Sequence, residues 1–595
     1  MEKRITQFPT SVKELDVLGW KNVDVVLFTG DAYIDHPAFG AAVIARVLER
    51  GGYRVAVVPQ PNWRDDLRDF KKMGEPRLFF AVTSGAMDSM VNHYTAAKRL
   101  RSTDAYTPGG KSGMRPDYAV KTYTDILRKL YPSVPIVIGG IEASLRRVTH
   151  YDYWQDTLLP SILAQTPADL LIYGMGEKTV LDVAAFIKRN RRIIHGGMDL
   201  LKNRELAVQL LAMNQVAYKS AIPPKQALTE ETENEDFKLL PSFDRCKKDK
   251  RSFIEGFNIV ETEANKMHPM RLVEPVGTQY IYINPANPAP STAEIDSYHD
   301  LPFTKLPHPR YKGKHIPAYE MIKFSVNTHR GCFGGCSFCT IAAHQGKHIQ
   351  SRSEESILKE IAQLPELPDF AGNISDLGGP TANMYGMKGN DESVCEKCYR
   401  KSCLFPKMCP NLNNSHRRLL KLYAEVEKVK GIRNAYIGSG IRYDLFLDSK
   451  GFLDSSSKPY FTELVLKHTS GRLKVAPEHT EQNVLRLMNK PPFALFERLR
   501  KEFDTLTRQK GVRMQIIPYF ISSHPGCTMK DMENLCNTPS LRGICTEQVQ
   551  DFTPTPMTKS SVMYYTEMDT KTFERVFVEK NMQKKQVQKS YFFKK

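Results

Sequence analysis

The chain has 595 residues but no run of 18 or more apolar ones, so the sequence offers no membrane-spanning helix. Its start, Met1-Glu-Lys-Arg-Ile-Thr, is charged with no apolar stretch behind it, which argues against a secretory signal and for a cytoplasmic chain. Cysteine is scarce, 11 residues in all, too few for a disulfide scaffold. Acidic residues are in deficit: 66 Asp and Glu against 84 Lys and Arg leave a formal charge of +18. That field leaves nucleic acid or an acidic protein open as partners. Part of it has a plainer source, because Lys571 to Lys595 carries eight basic residues against Glu574 and Glu579, the pattern of a solvated tail. Core-forming material is plentiful at 41% apolar residues, which excludes wholesale disorder.

Two regions alternate strand-like and helix-like patterns. In residues 1–200, apolar runs at Val23–Phe28, Tyr53–Val58, Leu78–Thr83, Val134–Ile138 and Ala168–Tyr173 read as strands covered on both faces. A helical pattern over Ala38–Glu49 follows the first. The spacing predicts a Rossmann-like parallel sheet, with glycines at the carboxyl ends where such sheets bind ligands. Residues 201–317 read as a helical bridge and proline-stiffened connector, with an acidic stretch at Glu230–Asp236 and prolines in Asn284-Pro-Ala-Asn-Pro-Ala-Pro290. A second α/β unit is expected over 318–590, with strands at Lys323–Asn327, Asn373–Leu377, Asn434–Ile437, Arg472–Val475 and Arg513–Ile521. Ser351 and Glu354 suggest a capping box, and Ser415–Val429 a further helix. The fold class is α/β, the second unit a partial (β/α) barrel, and 591–595 a basic tail.

Seven of the 11 cysteines lie between Cys332 and Cys409. In a reducing compartment such clustering points to metal ligands. Cys332, Cys336 and Cys339 (CxxxCxxC) sit among Gly331, Gly334 and Gly335, which let the backbone curl around an inorganic group. Three thiolates on a [4Fe–4S] cube leave one iron open for a small molecule. A structural zinc site that borrows His329 or His344 satisfies the same spacing. A second set, Cys395, Cys398, Cys403 and Cys409, lies in a Cys-rich insertion over 390–410 of low apolar content. Four thiols there need a metal to hold them, either a closed Zn²⁺ site or an auxiliary Fe–S cluster, unless they are simply unliganded. Cys246, Cys527, Cys536 and Cys545 lack ligand spacing.

The first motif, with Phe338 immediately before its last cysteine, resembles that of the radical S-adenosylmethionine (SAM) superfamily, and further motifs match in order. Asp376-Leu-Gly-Gly-Pro380 resembles the glycine-rich turn near the SAM amino group. Ile437-Gly-Ser-Gly-Ile-Arg442 resembles the ribose and carboxylate motif, with Ser439 and Arg442 as polar contributors. Ala476-Pro-Glu-His-Thr480 and Ile516–Gly526 look like later strand units. With Gly30-Asp-Ala-Tyr-Ile-Asp-His-Pro37, Gln60-Pro-Asn-Trp63, Gly139-Gly-Ile-Glu142 and Val549–Pro556, nearly the whole chain is similar to the YgiQ-type family. The resemblance implies a [4Fe–4S] cluster on the three cysteines, SAM on its fourth iron, and contacts from Phe338, Gly378, Gly379, Ser439 and Arg442. It implies reductive cleavage of SAM to methionine and a 5′-deoxyadenosyl radical, fed by a one-electron reductant protein of flavodoxin or ferredoxin type. Readings from other classes are a zinc-stapled nucleic-acid-binding protein and an Fe–S electron carrier. The first 200 residues also resemble the cobalamin-binding modules of some radical SAM enzymes. The axial-histidine motif DxHxxG is not met, since Asp35 and His36 are adjacent, and this argues against cobalamin.

Overall fold

The structure, a computed structural model, describes residues 6–194, 204–224, 237–542 and 548–593. Cys545, the acidic stretch Glu230–Asp236 (its last strand neighbour Phe237 excepted) and the terminal Lys594 and Lys595 lie outside these residues. The chain divides into two compact units. One comprises Met1–Ala264, His268–Pro288 and Ser297–Lys323; the other comprises Asn265–Met267, Ala289–Asp296 and Phe324–Lys595.

The first unit is built on a nine-stranded sheet. In spatial order its strands are Val55–Pro59, Val25–Thr29, Phe79–Thr83, Ile136–Gly139, Leu170–Ile172, Val216–Ser220, Gln279–Ile283, Arg271–Val276 and Phe237–Leu239. The first five run parallel. Val25–Thr29 and Val55–Pro59 are buried along their whole length, as continuous apolar runs covered on both faces must be. The helix after the first strand spans Gly40–Arg50 and buries Val43, Val47 and Leu48.

The five strands expected within residues 1–200 are parallel as read, and beyond Leu170–Ile172, where no strand was expected, Val216–Ser220 joins antiparallel and Gln279–Ile283 antiparallel to that. The segment expected to be a bridge and connector therefore supplies four strands of the sheet. Arg271–Val276 and Gln279–Ile283 form a hairpin with a two-residue loop, in which Gly277 takes φ 58°, the left-handed value such tight hairpins require. Pro275 hides this hairpin from sequence reading, since proline in a strand signals an edge. Here the neighbouring Phe237–Leu239 pairs only with Arg271 to Val273, so the missing N–H of Pro275 faces no partner on that side.

In the second unit short parallel pairings follow chain order. Ser325–Asn327 pairs with Asp376–Gly378, and Asn373–Ile374 with Asn434–Ala435. A parallel bridge joins Ile441 to Val475, and Arg472–Glu478, Gln515–Ser522 and Gln548–Asp551 form one three-stranded sheet. Helices Glu354–Gln363, Arg417–Val426, Ser457–Lys467 and Phe493–Lys510 intervene and bury Ile357, Ile361, Leu422, Phe461 and Phe496 against these strands. The helix at 354 is capped by Ser353, whose hydroxyl accepts from the Ser356 amide, and not by the expected Ser351, which pairs with His329 in a short ladder. Within the stretch expected as a basic tail, Phe592 stacks on Phe520 with ring centroids 5.6 Å apart. Among the described residues no helix is long and apolar enough to cross a membrane.

Candidate iron–sulfur and SAM site

The CxxxCxxC loop leaves the strand Ser325–Asn327 and is closed at its base by the ladder of His329 and Arg330 with Ser351 and Gln350. Its backbone is held from several sides. The Cys332 amide donates to Gly346 O (3.2 Å), and Phe333 O accepts from the Cys403 amide (3.1 Å). Gly334 O accepts from the Ser402 hydroxyl (2.8 Å), and Gly335 O from Asn489 Nδ2 (2.9 Å). The Ser337 amide donates to Met488 O (3.0 Å), while Ser337 O accepts from the Ser560 amide (2.9 Å). Such a network fixes the sulfurs without help from large side chains. Two glycines are closely confined. A Cβ on Gly334 would lie 2.8 Å from Arg442 Nη1 and 3.3 Å from Cys332 Sγ. Gly335, at φ 66°, would put one 2.6 Å from Ser402 Cβ.

Residues far apart in sequence meet at this loop. Cys332 Sγ is 3.4 Å from Thr381 Oγ1, one residue past the glycine-rich turn. Arg442 Nη1 donates to Cys336 Sγ at 3.3 Å. Arg442 also forms a two-pronged pair with Asp444, at 2.9 and 2.5 Å. Its backbone is gripped by Asn383, whose Oδ1 accepts from the Arg442 amide (2.9 Å) and whose Nδ2 donates to Arg442 O (2.9 Å). Burial works against the arginine charge, yet the Asp444 carboxylate and the Cys336 sulfur hold its pKa well above the ordinary value. Burial, reinforced by the neighbouring thiols, pushes the Cys339 thiol up to about 12 and raises Cys332. Sulfurs packed this way are poor isolated thiolates and suit a site where a cation offsets their charge.

The expected SAM contacts are near but differently occupied. A Cβ on Gly378 would lie 3.3 Å from Ser439 Oγ, so a side chain there would crowd the second motif. Ser439 hydrogen-bonds through its hydroxyl to Asp376, which also accepts from the Gly438 and Ser439 amides at 2.9 and 3.1 Å. Asp376 thus ties the glycine-rich turn to the Gly438–Gly440 segment. Gly379 lies against the His329 ring, and Phe338 sets its ring edge-on to His524, centroids 6.2 Å apart. Sequence reasoning missed Asp444, Asn383 and Thr381, whose only signal is their place one to three residues from a quoted motif. Glu478 holds φ 69°, rare for a residue with a side chain, at the end of its strand. It is buried, 3.6 Å from Lys490, and its negative charge reaches Cys339. Met384, Tyr385 and Tyr443 are fully packed core residues.

Residues 7–325 match the Radical SAM N-terminal family, and residues 547–594 a family described as a domain of unknown function (DUF3362). A UPF0313 protein of Bacteroides thetaiotaomicron is 51% identical over 598 residues, covering 100% of this chain and 94% of that protein. UPF0313 proteins of Porphyromonas gingivalis and Methanocella arvoryzae are 52% and 46% identical over 98% and 96% of this chain, which cover 90% of each. The chain belongs to the UPF0313 family of radical SAM proteins. It is therefore an enzyme of the radical SAM class.

Two solved structures of the radical SAM methyltransferase TsrM from Kitasatospora setae are similar in outline to this radical SAM protein. One, with tryptophan substrate and a SAM analogue, has TM-score 0.44 at 13% identity over 86% of this chain and 70% of that one. The other, with cobalamin and a [4Fe–4S] cluster, has TM-score 0.46 at 14% identity over 90% and 77%. The likeness is one of mixed α/β fold alone. The expectation against cobalamin, drawn from the spacing around His36, is corrected to this extent: one of these two TsrM structures holds cobalamin beside its [4Fe–4S] cluster.

In this family member the polar group at the first sheet's carboxyl edge is tied into the fold by hydrogen bonds and ion pairs. Asp31 pairs with Arg115 at 2.7 Å and accepts from the Ala86 amide. Asp35 takes two bonds from Arg46 and one from the Thr304 amide. His36 Nδ1 accepts from the Ala38 amide at 3.1 Å. The second cysteine set lies beside the first loop. Cys403 and Cys409 pack on the same small apolar patch as Cys332, formed by Phe333, Met384, Met387, Leu404, Leu412 and Leu445.

Proposed function

We propose that this protein cleaves SAM reductively at a [4Fe–4S] cluster held by Cys332, Cys336 and Cys339, on a second unit whose parallel strands form a partial (β/α) barrel. When bound, the cluster with SAM on its open iron supplies a one-electron route to methionine and a 5′-deoxyadenosyl radical. The observation that carries this reading is convergence. Thr381 beyond the glycine-rich turn touches Cys332, Arg442 touches Cys336, and Asp376 of the turn accepts from the Ser439 hydroxyl. A zinc staple would need none of these contacts.

The chain's own residues hold and orient. The three cysteines are the ligands, and Gly334 and Gly335 leave room beside them. Arg442 offers a buried positive charge to the SAM carboxylate, with Asp444 and Asn383 fixing its direction. Ser439, Gly378 and Gly379 border the same space and contact the remaining SAM polar groups, with Phe338 on its apolar side. The electron comes from a reductant protein of flavodoxin or ferredoxin type.

The test is anaerobic reconstitution with iron and sulfide, followed by dithionite and SAM, with 5′-deoxyadenosine measured. Wild type should release it. Cys332→Ala, Cys336→Ala and Cys339→Ala should each abolish release, and a variant that still forms 5′-deoxyadenosine refutes the ligand assignment.

A further inference from the structure

We propose that Cys395, Cys398, Cys403 and Cys409 hold a second iron–sulfur cluster, ligated on every side by protein and set against the loop that carries the first three thiols. All four are free thiols. The stretch from Asp391 to Lys401 is largely exposed, so apolar burial does not order it. Two of the bonds that do so end on sulfur: the Arg400 amide donates to Cys398 Sγ (3.4 Å) and Asn411 Nδ2 to Cys395 Sγ (3.5 Å). Donors of this kind are what tune a cluster's thiolates. The other half of the loop is fixed by the Cys409 amide on Cys403 O (2.7 Å). Ser402 completes it, accepting from the Leu404 and Phe405 amides (3.0 Å each) while donating to Gly334 O. Four thiols on one short stretch with little core of its own, two of them accepting N–H bonds, are a site built for a metal group.

Zinc and iron–sulfur clusters differ in how far apart they hold sulfur. A closed tetrahedral zinc site, with Zn–S of about 2.3 Å, places every pair of sulfurs roughly 3.8 Å apart. An iron–sulfur cluster spreads its four thiolates over separate corners, so no three come that close. Among the described residues, the one trio of His, Cys, Asp or Glu ligand atoms within 4.8 Å of one another belongs to Glu427, Glu463 and His468. No trio of the four cysteine sulfurs meets that limit, although each of Cys395 and Cys403 feels the charge of Cys398 and Cys409. No three of the four therefore stand at the spacing that a single zinc ion imposes. With all four positions filled by protein, this centre has no corner for SAM. Its neighbour is fixed by covalent and hydrogen-bonded continuity, since the Cys403 amide binds Phe333 O and the two cysteine sets share one apolar patch.

The test uses the full chain carrying Cys332→Ala, Cys336→Ala and Cys339→Ala together, reconstituted anaerobically with iron, sulfide and zinc all supplied. The expected result is about two to four irons per chain with matching sulfide, no stoichiometric zinc, and an EPR signal after reduction that SAM does not alter. One zinc and no iron, or no metal at all, overturns the proposal. Should that variant fail to fold, Cys395→Ala with Cys398→Ala in the otherwise intact chain gives the complementary reading: iron falls by about two to four per chain, and unchanged iron overturns the proposal. Neither count depends on SAM turnover, so failure of the reaction proposed above and failure of this site are told apart.

Discussion

Replacing Arg442 with alanine isolates the buried charge pair at the proposed SAM site. The side chains of Arg442 and Asp444 are only 9% and 14% exposed. Removing one partner of such a pair leaves a carboxylate uncompensated, at a cost of about 3–5 kcal/mol. For a unit of this size each kcal/mol lowers the melting temperature by about 2–4 °C, so a fall of about 6–20 °C is expected. The pH dependence has a definite sign. In the wild type Arg442 holds Asp444 below its ordinary pKa although burial alone would raise it. A carboxylate depressed in the fold contributes stability that is present above its unfolded value, about 4, and lost as pH falls. Without Arg442 burial raises the Asp444 pKa, so the penalty is full at neutral pH and fades as pH drops toward about 4. The gap between variant and wild type should therefore be widest near neutrality and narrow in acid. Arg442→Met with Asp444→Leu removes both charges and should recover most of the loss. Calorimetry under anaerobic conditions, at matched iron content, measures all three proteins. A single variant that melts within a degree or two of wild type at neutral pH, or whose deficit grows in acid, refutes the argument. The same single variant should bind SAM about 10- to 150-fold more weakly, as expected for a lost charge-assisted contact, with its iron retained.

Other expectations follow from local geometry. Gly335→Ala forces a side chain into the left-handed region, at a cost of about 1–2 kcal/mol, and against Ser402 Cβ at 2.6 Å. It should lower iron retention at both cysteine sets after gel filtration, and full retention would show that the two loops are not locked together. Asp31 is pushed up to about 6 by burial, with Arg115 opposing. A carboxylate raised in the fold gives stability that is whole below about 4 and lost as pH rises through about 6. Asp31→Asn should flatten that part of the first unit's stability profile in chemical denaturation, and an unchanged slope counts against the assigned group.

The thiol motif was legible because the spacing of Cys332, Cys336 and Cys339 is a local matter: eight consecutive positions and their glycines describe the loop. The strands Val25–Thr29 and Phe79–Thr83 were legible for a similar reason, since burial on both faces demands an unbroken apolar run. The strands at Val216–Ser220 and Gln279–Ile283 were not, because Lys219, Gln279 and the nearby prolines interrupt that signal. Only the pairing across the sheet reveals them.

What the amino-acid order by itself determined is chemistry of short range: which sulfurs stand near one another, which runs must be covered, and which family the motifs resemble. Tertiary structure alone decided that Arg442, 106 residues from Cys336, donates to its sulfur, and that Asp376 engages Ser439 across 63 residues. It alone set the two cysteine loops side by side. Contacts of that kind depend on closing long loops against a shared core, and no local pattern of residues records which distant segment will arrive.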